Sequence, residues 1–393
     1  MASRRRIARW CREAESLTLA NDPPISAGLK RNFRALPPRA QAALAHEIVE
    51  TRSRELSLAY RNVVALAVGH KRRRRKPGGF SMSTGVGVTF IVRQKWDRGS
   101  VEDERARLPA FLVAYTTHDG ERLACAVPTD VEPAERYADF SPAASSAREI
   151  IDVGQPSTGA GTAGALTCAL ERPAHPGQTF GLGCRHVLSL SLEAQSTLSG
   201  NLPVRVRHVE GPLVGRTTRV RGSLRTSERG RSLDAQLLHV DDEAALSAVL
   251  EGIRFDGPEA FAKHFSDIPE RYFVLVPRPA EAHGARTGAV AIPLRKHLVH
   301  RNFGLPYGGR IGGMVVHQWV VESLTERTER AELGPFPGDS GSPVVTGRTG
   351  GTLLGMHFGG RDSGGKSYMI PAWQLFEPAN FHRQREARWR LVP

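Results

Sequence analysis

Three residues far apart in this chain have the types and local settings of a nucleophile, its base and the base's partner. Ser340 lies in Gly338-Asp339-Ser340-Gly341-Ser342-Pro343-Val344-Val345, flanked by glycines and followed by a short β-branched run. Glycines there let the backbone bend sharply and aim its N–H groups at a substrate oxygen. His186 lies in Gly-Cys-Arg-His-Val-Leu-Ser, and Asp234 in Ser-Leu-Asp-Ala-Gln-Leu-Leu. A serine hydroxyl is a poor nucleophile at neutral pH and needs a base to take its proton. Imidazole titrates near the working pH. A carboxylate on its far nitrogen fixes the tautomer and stabilises the imidazolium that forms. Backbone N–H groups of Gly338 and Ser340 can hold the oxyanion. The order His, Asp, Ser, at long intervals, sets each on a different loop of one β domain. The chemistry this constellation points to is acyl transfer by a serine-hydrolase triad.

An α/β-hydrolase elbow is excluded by the residues themselves. That elbow reads G-x-S-x-G and runs straight into a helix. Here position 342 is Ser, and Pro343-Val344-Val345 opens a strand. Only Asp362 and His382 follow the serine as partners, crowded close behind it.

With 393 residues the chain has room for two or three domains, each able to bury a core. Its 40% hydrophobic and 24% charged residues are ordinary for a globular protein. The 40 Gly and 26 Pro favour turns and short strands over a helical bundle. Val63–Val68 is too short for a membrane helix, so no membrane role is expected. Met1-Ala-Ser-Arg-Arg-Arg has no apolar stretch behind it and does not read as a secretory signal. Four cysteines are too few for a disulfide framework. Cys168 and Cys184 can face each other across a hairpin, yet reduced thiols and a cytoplasmic location are the expectation. No Cys/His cluster has zinc-ligand spacing, and no metal or cofactor is expected.

The net charge of +14 suits an anionic partner such as nucleic acid, an acidic protein or an anionic surface. An evenly charged arginine-rich surface gives the same total. The one concentration is His70-Lys71-Arg72-Arg73-Arg74-Arg75-Lys76, a self-repelling run that reads as a solvated linker and a natural place for processing. No aromatic residue is interleaved with it, which weakens a nucleic-acid reading.

The elements expected to position the triad fall into four regions. Residues 1–76 read as a helical N-terminal region. Its long helix opens at Pro37-Pro38 and runs to about Val68, with Leu44, Ile48, Val49, Leu56, Val63 and Leu66 on one face. Residues 77–158 read as a β-rich leading segment and linker, with strands at Gly85–Val92, Leu108–Tyr115 and Leu123–Val127. Residues 159–378 hold the triad. Strands are expected at Gly164–Leu170, Thr179–Cys184, Val204–Val209, Arg219–Leu224 and Leu233–Val240. More follow at Tyr272–Val276, Ala289–Pro293, Gly309–Val321, Ser342–Val345 and Thr352–His357, with a helix from Asp241 to Gly252. Residues 379–393 read as a C-terminal helix or tail.

Gly-Asp-Ser-Gly-Ser-Pro, preceded by His186 and then Asp234, resembles the chymotrypsin (trypsin-like) peptidase family in its bacterial branch. The resemblance spans roughly residues 159–376, and residues 85–131 are similar to a leading segment of some bacterial members. It implies a mostly β chymotrypsin-like double β-barrel and serine endopeptidase activity on a protein or peptide substrate. Ser340 is then the nucleophile, His186 the general acid/base and Asp234 its orienting partner. The position six before the nucleophile is Gly334 rather than the Asp of relatives that cut after Lys or Arg. Leu354-Gly355-Met356-His357-Phe358-Gly359-Gly360 is similar to the Gly-Ile-His-x-Gly-Gly stretch of bacterial glutamyl endopeptidases. That likeness implies that His357 recognises an acidic P1 side chain, Glu above all, with Phe358 and Gly359 lining the substrate path. In many relatives the Asp before the nucleophile pairs with a newly released amino terminus, and 158 residues precede Gly159 here. The expectation is that the N-terminal region holds the enzyme latent or substitutes for that terminus. The alternative is a catalytically silent trypsin-like scaffold that binds nucleic acid or an acidic partner through its basic surface.

Overall fold

The computed structural model describes residues 24–60, 62–74, 80–93, 108–118, 120–134, 150–153, 163–171, 177–188, 205–208, 213–217, 234–242, 265–277, 289–306, 314–325, 339–361, 365–376 and 390–392. The chain divides into two compact units. The first comprises Met1–Arg136 with His264–Asp267 and His297–Phe303; the second comprises Tyr137–Lys263, Ile268–Lys296 and Gly304–Pro393.

In the first unit, helix α1 (Ala27–Ala35) starts where the Ser26 hydroxyl accepts the Leu29 N–H at 3.2 Å. It stops before Pro37-Pro38, and helix α2 (Pro38–Ala59) begins with proline at its first position, where the missing N–H costs nothing. Leu44, Ala45, Ile48, Val49 and Leu56 form its buried face. The sequence carried this helix to about Val68, but it ends at Ala59. Val63–Arg74 is instead strand β1. The apolar spacing fits a helix, but Val63–Val68 includes three β-branched valines and is buried except at Val64, which a strand satisfies without crowding the preceding turn. Strands β2 (Phe80–Val92), β3 (Phe111–His118) and β4 (Glu121–Pro133) follow. β1 and β2 form an antiparallel hairpin, β2 runs parallel to β4, and β4 pairs antiparallel with β3. The basic run read as a linker is therefore in part a paired strand, with Arg72 opposite Met82 and Arg74 opposite Phe80. Arg75 and Lys76 lie outside the described residues.

The second unit holds two sheets. One takes β5 (Ile150–Val153), β6 (Ala163–Gly164), β7 (Leu166–Glu171), β8 (Thr179–Gly183), β9 (Arg205–His208), β10 (Leu213–Thr217) and β11 (Gln236–Val240). The other takes β12 (Arg271–Pro277), β13 (Ala289–Pro306, of which His297–Phe303 belong to the first unit), β14 (Met314–Thr325), β15 (Pro343–Gly347), β16 (Gly350–Arg361) and β17 (Lys366–Pro371). The order β12-β15-β16-β17-β14-β13 closes on itself through β12–β13 pairing, giving a six-stranded barrel. The first sheet runs β18-β7-β8-β11-β10-β9-β5-β6, where β18 is Arg390–Val392. Residues 379–393 were read as a C-terminal helix or tail; of these, β18 adds a strand to the edge of β7, with Leu391 opposite Leu170. Residues 377–389, the strand expected at Arg219–Leu224 and the helix expected after Asp242 lie outside the described residues. The chain is thus mostly β with a closed barrel in its C-terminal half, as the sequence led one to expect. The first sheet adds further strands where the other barrel half was expected.

Helices are few here: α3 (Arg185–Leu188) follows β8 directly, and α4 (Ala372–Leu375) follows β17. Among the described residues no helix is long and apolar enough to cross a membrane. The barrel core is apolar, with Val274, Val276, Val344, Leu353 and Met356 fully buried. It also holds a buried Lys366–Glu322 ion pair at 2.8 Å and a Tyr272–Ser323 hydroxyl contact. Gln374 on α4 completes the backbone of β14: its Nε2 donates to the Trp319 carbonyl at 3.1 Å, and its Oε1 accepts the Trp319 N–H at 2.6 Å. Gln374→Leu removes both bonds from the buried Trp319 backbone. The expected cost is about 2–4 kcal/mol of unfolding free energy, read by urea denaturation. A loss under about 0.5 kcal/mol would show that the two bonds do not matter.

Candidate active site

Ser340 occupies the tip of a tight turn between Asp339 and strand β15. The Ser342 N–H closes it on the Asp339 carbonyl at 3.0 Å, and Gly341 takes φ +97°. A non-glycine residue is strained at that angle. Space excludes one too, since a Cβ on Gly341 would lie 1.9 Å from the Ala165 carbonyl oxygen. The sequence reading of these glycines as conformational necessities therefore applies to Gly341. Gly338, the expected second oxyanion donor, lies outside the described residues.

The turn is held on both sides. On the first sheet, the Ala165 N–H donates to the Ser340 carbonyl at 2.8 Å, and the buried Thr167 hydroxyl donates to the Gly341 carbonyl at 2.7 Å. On the barrel, the Gly341 N–H donates to the His357 carbonyl at 2.7 Å, and the His357 N–H to the Ser342 carbonyl at 2.9 Å. With four hydrogen bonds to two sheets, the turn cannot move without disturbing both. The Ser340 side chain is buried, 5% exposed, and its Oγ donates to the Phe358 carbonyl at 3.2 Å. Phe358 lies in the register shift of β16, where His357 faces Met369 and Gly359 already faces Tyr368. That bulge carries the Phe358 carbonyl to the serine side.

Pairing brings the other two candidates to the same end of the first sheet. Leu166 on β7 is opposite Gly183 on β8, and Gly183 is opposite Gln236 on β11. Ala165, which holds Ser340, immediately precedes Leu166; α3 with His186 immediately follows β8; Asp234 lies two residues before Gln236. Asp234 is 1% exposed. A Cβ on Gly164 would meet Val187 Cγ1 at 2.3 Å and the Ser340 carbonyl at 3.0 Å, so the residue after His186 and the serine turn flank one glycine. The backbone of His186 is described and its side chain is not.

Cys184, just before α3, is the neighbouring rival for the nucleophile. Its thiol is fully buried and donates from Sγ to the His357 carbonyl at 3.5 Å. Burial pushes its pKa well above the ordinary thiol value, and the Asp234 carboxylate raises it further, against a smaller lowering by the Gly341 backbone. A thiol held protonated in this way is inert. Cys125 and Cys168 are likewise buried and unpaired. Cys168 sits opposite Leu182 in the hairpin rather than bridged to Cys184.

His357 is 1% exposed, and its Nδ1 lies 2.9 Å from Ser367 Oγ on β17. Ser367 is directly opposite Ser323, the hydroxyl partner of Tyr272. Ser340, His357, Phe358 and Gly359 are thus neighbours through β15 and β16, whose Pro343 and Met356 pair. Thr167, Ser367 and Cys184 were missed as site residues. Each is a small side chain in or next to an unremarkable strand, and its role shows only when the sheets meet.

No protein-family profile and no curated protein matches the chain. Solved structures similar to it include viral proteases. A murine norovirus NS6 protease, an inactive mutant with a C-terminal extension, is 14% identical over 49% of this chain and 82% of its own, with a TM-score of 0.25. A human pathogenic astrovirus serine protease is 16% identical over 56% of this chain and 93% of its own, with a TM-score of 0.24. The tobacco vein mottling virus protease is 11% identical over 57% and 83%, with a TM-score of 0.23.

Proposed function

We propose that the chain is a serine endopeptidase in which Ser340 is the nucleophile, His186 the general acid/base and Asp234 the carboxylate that orients it. The carrying observation is the turn of Ser340, clamped between two sheets at the β7–β8–β11 end that also bears Asp234 and the helix of His186. Ser340 Oγ attacks the scissile carbonyl as His186 takes its proton. The N–H groups of Gly338 and Ser340 stabilise the oxyanion. Collapse of the tetrahedral intermediate releases the amine, protonated by His186, and leaves an acyl-enzyme on Ser340. Water, deprotonated by His186, then hydrolyses the ester and restores the hydroxyl. Unpaired thiols at Cys125, Cys168 and Cys184 suit work in a reducing compartment such as the cytoplasm. We assign the N-terminal region a regulatory role over this site.

The same reading gives His357 the P1 side chain and prefers Glu there, in the manner of the bacterial branch. Backbone of Phe358 and Gly359 would pair with the extended peptide. Support comes from the Ser340–Phe358 hydrogen bond, which sets the strand of His357 against the nucleophile. Ser367 Oγ is 2.9 Å from His357 Nδ1; in this reading the hydroxyl donates to Nδ1, so the ring proton sits on Nε2 and can be donated to a P1 carboxylate or amide oxygen. Ser367 is then a positioning residue.

Hydrolysis of a peptide series differing only at P1 tests this. His357→Ala should lower kcat/KM for Glu at P1 about 10- to 100-fold while sparing Ala at P1. Ser367→Ala should raise KM for the Glu peptide about 3- to 10-fold with kcat unchanged. A preference for Lys or Arg at P1, or an equal loss on every peptide in His357→Ala, overturns the assignment.

A further inference from the structure

The β1–β2 hairpin outruns the strands that flank it. Strand β13 pairs with β1 only from Leu66 to Gly69, and β4 pairs with β2 only from Val88 to Val92. Gly69 and Gly87 are opposite each other in the hairpin and mark that limit. A Cβ on Gly69 would lie 2.4 Å from the His297 carbonyl oxygen, and one on Gly87 would lie 2.5 Å from that of Pro128. Two residues farther out, a Cβ on Gly85 would meet nothing within 4 Å. A register shift between His70 and Arg72 follows, and the ladder continues through Arg72–Met82, Arg73–Ser81 and Arg74–Phe80. Beyond Gly69 and Gly87, then, the two strands pair only with each other among the described residues. The result is a two-stranded arm.

The arm has charge of one sign. From Arg61 to Lys95 the sequence has nine Lys or Arg residues and no Asp or Glu. Lys71-Arg72-Arg73-Arg74 lie on β1, and the facing stretch Phe80-Ser-Met-Ser-Thr84 offers hydroxyls and no carboxylate. Adjacent like charges raise one another's energy, and the hairpin contains no carboxylate to offset this. An external polyanion can.

We propose that this arm binds the phosphate backbone of nucleic acid. Guanidinium groups fork onto phosphate oxygens in pairs, and serine and threonine hydroxyls donate to them as well. A two-stranded ribbon has the width that a duplex groove admits. A bilayer surface fits less well, because besides the buried Val86 the arm's second strand has only Phe80 and Met82 as apolar residues to enter it. Binding is through the backbone and independent of sequence, and it concentrates the chain on nucleic acid whatever its second unit does.

Fluorescence anisotropy of the full chain with short RNA and DNA duplexes and single strands, across a salt series, tests this. The parent should bind with a steep negative slope of log affinity against log salt. Replacing Lys71, Arg72, Arg73 and Arg74 together with Gln should make the slope shallower by about three to four. The charge-retaining variant Arg72→Lys, Arg73→Lys, Arg74→Lys should keep the slope. Thermal midpoints within a degree or so of the parent exclude unfolding as the cause. An unchanged slope in the Gln variant overturns the proposal. So does arm-dependent binding of phosphatidylserine vesicles or polyglutamate in the absence of nucleic-acid binding.

Discussion

Asp234→Asn is expected to lower kcat for peptide hydrolysis by about three to four orders of magnitude while the chain stays folded. An amide fills the same volume but cannot hold the His186 imidazole in the tautomer that accepts the serine proton, nor stabilise the imidazolium. Asp234 is 1% exposed beside Cys184, so its charge acts through a medium that screens little. His186→Ala and Ser340→Ala should each cost at least as much. Because the three act as a unit, the triple variant should be little worse than either. Steady-state kinetics on the best P1 peptide reads all of these. A loss of less than tenfold in Asp234→Asn would remove that residue from the mechanism.

Gly341→Ala should be the most damaging single methyl in the second unit. It forces a side chain into φ +97° and places a Cβ 1.9 Å from the Ala165 oxygen, in a turn fixed by hydrogen bonds on both sides. Backbone strain of about 1–2 kcal/mol and overpacking of about 1–3 kcal/mol add to roughly 2–5 kcal/mol. Any relaxation must shift Ser340, so activity falls even in the molecules that remain folded. Gly177→Ala is the comparison, because Gly177 has φ +82° with nothing within 4 Å of its Cβ position. It should cost only the strain. Equal unfolding free energies for the two variants would show that the Ala165 contact is not what constrains the turn.

The serine turn was legible because its requirements are local. A nucleophile at a sharp bend needs glycine next to it, and the β-branched residues that follow can only leave as a strand. His186 and Asp234 were legible more weakly, from residue type and order, since nothing near either of them in sequence says which loops will meet. What escaped notice depends on tertiary pairing. The run after Tyr60 has apolar spacing that fits a helix, and burial on both sides of Ala65–Val68 suits a strand instead. Strand β13 was expected to end at Pro293 and runs to Pro306; Lys296, His297 and His300 are buried along it, polar residues that break the hydrophobic pattern. Strand β17 was missed altogether. Its Ser367 and the Thr167 of β7 have no signature as single residues; they matter because one reaches His357 and the other the Gly341 carbonyl. The basic run was visible as charge, but its form as a paired arm came from the register of β1 on β2.

The most direct test of the central claim is covalent labelling of the intact, folded chain with a fluorophosphonate, followed by peptide mapping. Only a hydroxyl activated by a positioned base reacts at a useful rate. The account predicts one adduct, on the peptide containing Ser340, absent from Ser340→Ala and at least a thousandfold slower in His186→Ala. A folded chain that takes up no label, or one whose label survives Ser340→Ala, would contradict it.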